Sequence, residues 1–247
     1  MTDFKYATWK APQRVTALST TRKQGYSHSP YDSNNLALHV GDNEKHVLQN
    51  RHQLANELKL SQPIVWLEQT HSTICIIPEK ETSRTGDALV TRSNQYPLAI
   101  MTADCLPITL CNQQGNEIAA IHAGWRGLFN GIIENTVHRM LSPASSLLAW
   151  IGPAISQPYY EIGEEVYESF LKKNPQNIDA FHKIKEKKWL ANLPLLAEYT
   201  LNSLGIEAVT QSNLCTFEKK DEFYSYRRTP QTGRIATLIW LNEHPGD

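Results

Sequence analysis

The sequence predicts an α+β chain, a layered α/β sandwich of mixed β-sheets with flanking helices, forming a single domain over residues 1–247. Three observations lead there. Apolar, β-rich runs alternate with stretches whose apolar residues recur at helical spacing. Mid-chain, two β-rich runs are joined by a short turn, which a purely parallel doubly wound sheet does not contain. No repeat, low-complexity stretch or flexible linker divides the chain.

In chain order, RVTALSTTR (14–22) alternates as a strand and runs into a turn-rich segment. NEKHVLQNRHQLANELKL (43–60) reads as a helix capped by Asp42 or Asn43, with Val47, Leu48, Leu54, Ala55 and Leu58 on its inner face. PIVWLEQ (63–69), TICIIP (73–78) and ALVTRSN (88–94) read as short strands. LAIMTADC (98–105) and LPITLCN (106–112) are also strands, and Pro107 is expected to force a bend or an edge between them. QQGN (113–116) turns the chain into EIAAIHAG (117–124). LFNGIIENTVHRML reads as one helix, with Ile132, Ile133, Val137, Met140 and Leu141 inward. LLAWIGPAI (147–155) is a strand stopped by Gly-Pro. GEEVYESFLKK and LPLLAEYTLNSLG are helices, the second closed by Gly205, and AVTQSNLCT and RIATLIWL are late strands.

Composition narrows the function. A formal net charge of −1 with no long basic block gives no reason to expect nucleic acid. MTDFKYATWKAP lacks the apolar core of a signal peptide, and no apolar run is long enough to span a bilayer, so a cytoplasmic, membrane-free protein is expected. Cys75, Cys105, Cys111 and Cys215 are scattered without a CxxC pair, which argues against a disulfide framework.

Three apolar runs end in reactive residues: LEQTHS at His71, TADCLP at Asp104 and Cys105, and IHAGWRG at His122. Two histidines and a cysteine form a ligand set for zinc or copper, and three protein ligands leave a fourth position open. The same residues could instead be core residues that end strands, or a Cys–His nucleophile pair built on Cys105. Asp104 and Glu68 are the nearby carboxylates that could shuttle a proton or orient a histidine. His46, His52 and His138 are expected to face solvent from helices; His28, His182 and His244 lie in polar surroundings, and His39 sits in a polar loop. Two further stretches look like binding loops. In residues 19–42, Arg22, Tyr31 and Asn35 could hold a polar ligand. FYSYRRTPQTGR (223–234) carries arginines for an anion and aromatic rings for a planar base, or is simply a solvated basic loop.

QTHS, GDALVT, TADCLPI, AAIHAGWRG, WIGPAI, YEIGEEV and FYSYRRTPQTGR follow in the order seen in the bacterial laccase-domain family, also called the polyphenol oxidoreductase family, and the chain resembles that family from about residue 20 to about 234. The chain departs from the family after Arg22, where two glycines usually follow one further residue and this chain has Lys23 and Gln24 before Gly25, and at Ala154 and Ser156, where many members have cysteines. The resemblance implies a mixed-sheet layered fold, one zinc held by His71, Cys105 and His122, and purine nucleoside phosphorylase activity with adenosine deaminase and methylthioadenosine phosphorylase activities. The substrates would be purine nucleosides and phosphate.

Chemistry then assigns provisional roles. Copper is possible at the same ligands, but a multicopper oxidase needs many histidines, often in His-x-His pairs, and the chain has 9 histidines and none so spaced. Deamination asks for an activated water near His71, Cys105, His122 and Asp104. Phosphorolysis asks for a phosphate pocket, with Arg22, Arg126 and Arg227 or Arg228 as holders, while Trp125 or Tyr226 stacks on the base and Asn35 is a further polar contact. Two other readings remain: a Cys–His hydrolase or amidase acting on peptidoglycan precursors, as the resemblance also implies, and a non-catalytic nucleotide binder.

Overall fold

The structure, a computed structural model, describes residues 3–243. Its elements are β1 (Lys5–Tyr6), β2 (Val15–Ser19), α1 (Glu44–Glu57), β3 (Cys75–Ile76), β4 (Ala88–Thr91), β5 (Leu98–Thr102), β6 (Leu106–Asn112), β7 (Ile118–Ala123), α2 (Trp125–Asn130) and α3 (Ile132–Arg139). They continue as β8 (Leu147–Ile151), β9 (Glu161–Gly163), α4 (Glu164–Lys173), β10 (Phe181–Lys185), β11 (Lys188–Ala191), α5 (Leu193–Ser203), β12 (Ala208–Gln211) and β13 (Ile235–Leu241). A four-stranded antiparallel sheet runs β1-β2-β13-β5. A six-stranded mixed sheet runs β12-β8-β6-β7-β4-β3, with β12–β8 and β3–β4 parallel. A small sheet, β10-β11-β9, stands apart.

The two large sheets pack face to face through Leu67, Leu89, Leu98, Ile100, Ile118, Ala120 and Ile239. The other face of the six-stranded sheet lies under α2–α5, with Leu128, Ile133, Phe170 and Leu196 against Val90, Ile108, Ile121 and Ala149. α1 covers the outer face of the four-stranded sheet through Leu54, against Leu18, Ala99 and Leu238. The central strands are therefore covered on both faces, which is why IAAI (118–121) is apolar without alternation. Each such large apolar side chain contributes about 1.5–3 kcal/mol by leaving water. Among the described residues no helix is long and apolar enough to cross a membrane.

Several local expectations are corrected. PIVWLEQ is not a strand: Val65 and Glu68 make isolated bridges to Leu98 and Thr85. Past Leu98, the Gln69 side chain takes over the pairing, accepting from Met101 N at 2.7 Å and donating to Met101 O at 2.8 Å. Pro107 causes neither edge nor bend, because it lies inside β6, opposite His122. Its carbonyl accepts from Gly152 N, so its missing N–H faces the same side, where the β6–β8 ladder has not yet begun. The bend comes from residues 103–105, where Asp104 has φ 95° and β5 passes from one sheet to β6 of the other.

The helix expected at LFNGIIENTVHRML starts earlier and breaks at Gly131, whose φ of 100° ends α2. Leu141 is exposed because the helical path stops at Met140, and Thr136 takes the inner position, its hydroxyl bonded to Ile132 O. Leu48 also faces solvent. Asn50 is buried instead, because its amide holds the 19–42 loop: Oδ1 accepts from Tyr26 N, and Nδ2 donates to Ser27 Oγ and Asn35 O. Asn43 caps α1, its side chain accepting from Lys45 N, and Gly205 ends α5 with φ 88°.

Candidate metal centre and cavity

The site stands where the two large sheets part. Strand alternation puts His122 on the same face of β7 as Ile118 and Ala120, towards the four-stranded sheet. The β6–β7 register sets Leu106 opposite Ala123, so Cys105 and Gly124 are brought side by side. His71 arrives from the loop after residue 69 in a left-handed conformation, φ 59°. Such backbone costs on the order of 1–3 kcal/mol for a non-glycine residue and persists where its surroundings hold it.

What holds it is Asp87, a fully buried carboxylate just before β4. Its Oδ1 pairs with His122 Nδ1 at 2.8 Å and accepts from His71 N at 3.1 Å. Its Oδ2 accepts from Ser72 N at 2.6 Å, Ser72 Oγ at 2.7 Å and Thr70 N at 3.2 Å. One carboxylate thus fixes the loop bearing His71 and orients the ring of His122. With Nδ1 so occupied, Nε2 is the nitrogen left to act as a ligand. The sequence reading did not single out Asp87; its trace is an acidic residue opening the apolar run ALVT.

Cys105 Sγ lies 3.8 Å from His71 Nε2, and the His71 and His122 ring centroids are 4.8 Å apart. The ligand atoms of His71, Cys105 and His122 all fall within 4.8 Å of one another. For tetrahedral zinc, bonds of about 2.3 Å to sulfur and 2.0–2.1 Å to nitrogen put those ligands about 3.6 Å apart, so the donor set fits a metal with little movement. Charge supports the fit. Burial opposes ionisation of the Cys105 thiol, yet His122 and His71 bring it down to about 6. Burial likewise opposes charge on His122, but Asp87 and Cys105 raise it to about 9. Asp87 is held at about 2, against its burial, by His122 and Ser72. A thiolate near neutral pH is the form a soft metal takes.

Gly124 makes the crowding possible. Its backbone, at φ −66° and ψ 164°, suits any residue, but a Cβ there would sit 2.8 Å from His71 Cδ2 and 3.2 Å from Cys105 Sγ. Gly124→Ala is therefore expected to weaken metal binding by about tenfold or more through displaced ligands, while the unfolding free energy of the metal-free protein changes by no more than about 1 kcal/mol. Chelator competition and urea unfolding measure the two effects separately. Unchanged metal affinity would mean that these ligands do not close on an ion.

Beside the cluster opens a cavity of about 540 Å³, within the range of small-molecule sites. Trp125, Tyr160 and Tyr226 give it aromatic walls, and Arg227, Arg234 and His39 give it polar ones. Of the residues singled out in the sequence, His71, Asp104, Cys105, His122, Trp125, Tyr226 and Arg227 line it.

The others are placed elsewhere. Arg22 clamps a loop through Asp32 O, Asp32 Oδ2 and Lys220 O. Asn35 is fully buried, accepting from Ala37 N and Arg234 N and donating to Asp42. Arg126 is exposed and stacks over the Trp125 ring at 4.4 Å. Arg228 spends its guanidinium on the carbonyls of Thr216, Phe217 and Phe223. Exposed Glu68 accepts from Thr85 Oγ1.

Asp104 reaches the cavity wall, but its carboxylate is taken by Thr216 Oγ1 at 2.6 Å, Ser225 Oγ at 3.0 Å and Arg227 N at 2.7 Å. That makes it an anchor for the 225–227 loop rather than a free base. Arg227 donates Nη1 and Nη2 to Glu161 O, each at 3.0 Å. Among the histidines, His39 lines the cavity, while His52 and His138 are exposed as expected. His46 is not: it is half-buried and stacks edge-on against His28. His244 lies outside the described residues. Met101 lines the cavity, its sulfur 3.7 Å from Arg51 Nη2.

Known proteins match nearly the whole chain. A purine nucleoside phosphorylase of Haemophilus influenzae is 42% identical over 236 residues, covering 94% of this chain and 97% of that protein. The purine nucleoside phosphorylase YfiH of Escherichia coli is 41% identical over 235 residues, covering 94% of this chain and 96% of that protein. The crystal structure of a Neisseria meningitidis protein matches with a TM-score of 0.93 at 40% identity, over 97% of this chain and 99% of that one. YlmD from Geobacillus stearothermophilus matches with a TM-score of 0.88 at 27% identity, over 94% and 93% of the two chains. The family described as multi-copper polyphenol oxidoreductase laccase matches residues 16–242, and the chain belongs to that family.

Proposed function

We propose that the chain is a zinc-dependent purine nucleoside phosphorylase, acting on adenosine, inosine, guanosine or S-methyl-5′-thioadenosine, with adenosine deaminase as a second activity. The observation that carries this reading is one cavity holding a metal-competent His–Cys–His cluster, aromatic faces and guanidinium groups. The names of the relatives support the same chemistry.

In phosphorolysis a phosphate oxygen bonds to C1′ of the ribose as the C1′–N9 bond breaks. The bonding pair leaves with the purine, and the proton given up by phosphate ends on the purine ring. Trp125, Tyr160 and Tyr226 offer faces for the base and exclude water from one side of the sugar. The cavity guanidiniums attract the phosphate. Asp104 holds the 225–227 loop in place through Ser225 and Arg227 N. His71, Cys105 and His122 would hold the zinc, which when bound would supply Lewis acidity for polarising an oxygen or acidifying a water.

Zinc-loaded protein mixed with adenosine is expected to release adenine and ribose 1-phosphate only when phosphate is present, with about one zinc per chain by elemental analysis. Inosine as the sole product would move the main activity to deamination. No product from any purine nucleoside would overturn the reading.

One observation favours a second reading. The lowered Cys105 thiol beside His71, together with the Asp87–His122 pair, also makes a nucleophile, base and orienting group of the kind a Cys–His hydrolase uses.

A further inference from the structure

The arginine-rich stretch 223–234 ends in a residue that its composition alone does not distinguish. Arg228 is consumed by three carbonyls and Arg227 by one. Arg234 is different. It lines the cavity, and its hydrogen bonds to protein are two donations from Nη1, to Thr232 O at 2.8 Å and Gly233 O at 2.9 Å. Among the described residues no carboxylate pairs with it. Nε and Nη2 are thus donors without an acceptor, beside the ring of Tyr226, whose centroid lies 5.9 Å from Cζ.

The residue is also held at its root. Its main-chain N–H donates to the buried Asn35 Oδ1 at 2.9 Å. A Cβ on the preceding Gly233 would meet the Tyr224 ring at 2.7 Å, so the chain passes hard against that ring. A half-buried guanidinium, fixed at its base and at one nitrogen, with no carboxylate in ion-pair contact and two nitrogens unbonded, is poised for an anion. His39, in the same cavity wall, shows the local field: burial first, then the charges of Arg234 and Arg51, lower its pKa.

We propose that Arg234 is the anion-holding residue of the cavity and that it takes inorganic phosphate, the co-substrate of phosphorolysis. This rests on the phosphorylase reading above. A phosphate ester on a nucleotide carries the same chemistry, so the test separates the two sources.

Phosphate binding to the zinc-loaded protein is followed by ³¹P NMR titration with inorganic phosphate, in wild type and Arg234→Gln. The substitution is expected to weaken phosphate by about 10- to 100-fold, while adenosine affinity stays within about threefold and zinc content is unchanged. Equal phosphate affinity in the two proteins overturns the proposal, as does wild type that binds adenosine 5′-monophosphate through Arg234 but not inorganic phosphate. Should the glutamine variant misfold, Arg234→Lys keeps the charge and loses the fork; it is expected to weaken phosphate by about tenfold, and undiminished affinity overturns the proposal equally. Arg234-dependent phosphate binding with no ribose 1-phosphate formed would sink the phosphorylase reading and leave the anion site standing.

Discussion

Asp87→Asn is expected to lower zinc affinity by about 10- to 100-fold, the usual cost of losing the partner that orients a metal-binding histidine. The carboxylate accepts from both sides: His122 and His71 on Oδ1, Ser72 and Thr70 on Oδ2. An amide can serve only one side. Its NH₂ must then face N–H donors, either the His122 ring or the loop of residues 70–72. Folding stability is expected to drop by about 2–4 kcal/mol, because buried donors are left without an acceptor.

The pH dependence has a definite sign. Asp87 has its pKa depressed to about 2 in the folded chain, so its contribution is present above the ordinary carboxylate pKa. It is lost as pH falls through that window towards 2. Wild type should therefore lose stability on acidification more steeply than Asp87→Asn. Zinc competition titrations and acid unfolding curves read both effects. Unaltered zinc affinity in a folded variant would remove Asp87 from the site.

Cys105→Ser is expected to abolish stoichiometric zinc and to reduce nucleoside turnover by at least about a hundredfold, beyond the cost of losing an orienting group alone. An alcohol does not ionise near neutral pH, whereas the Cys105 thiol is brought to about 6 by its histidines. Turnover and metal content should fall together. The metal-free wild type separates the two chemistries: a metalloenzyme is silent until zinc returns, while a cysteine nucleophile works without metal and is stopped by alkylation. Full turnover by Cys105→Ser would exclude both roles for the residue.

Much of this was legible in the chain. IAAIHAG could be read as a buried strand delivering His122 to its end, because apolar continuity and terminal glycines are local properties. The cap at Asn43 and the stop at Gly205 were legible for the same reason. The clustering of His71, Cys105 and His122 came through the order of motifs, since spacings of 34 and 17 residues carry no geometry of their own. What stayed hidden was which polar side chains are spent. Arg22 and Arg228 read as ligands for an anion, yet their partners are main-chain carbonyls and Asp32, supplied by loop segments that no local pattern predicts. Arg234 looked like its neighbours and differs only in lacking such partners. Leu48 faces solvent against expectation and Asn50 is buried, because a long loop, rather than the sheet, sets one side of α1.

The passage from β5 to β6 takes three residues, Ala103 to Cys105, and it joins one sheet of the sandwich to the other. Cys105 therefore acts like a rivet. An ion held by Cys105, His122 on the six-stranded sheet and His71 in a loop tied to β4 would tie together chain segments at the open end of the sandwich. Ion loading then adds to global stability by mass action, about 4 kcal/mol at a thousand times its dissociation constant. The amides of β5 and β7 would exchange with solvent only when the whole domain opens.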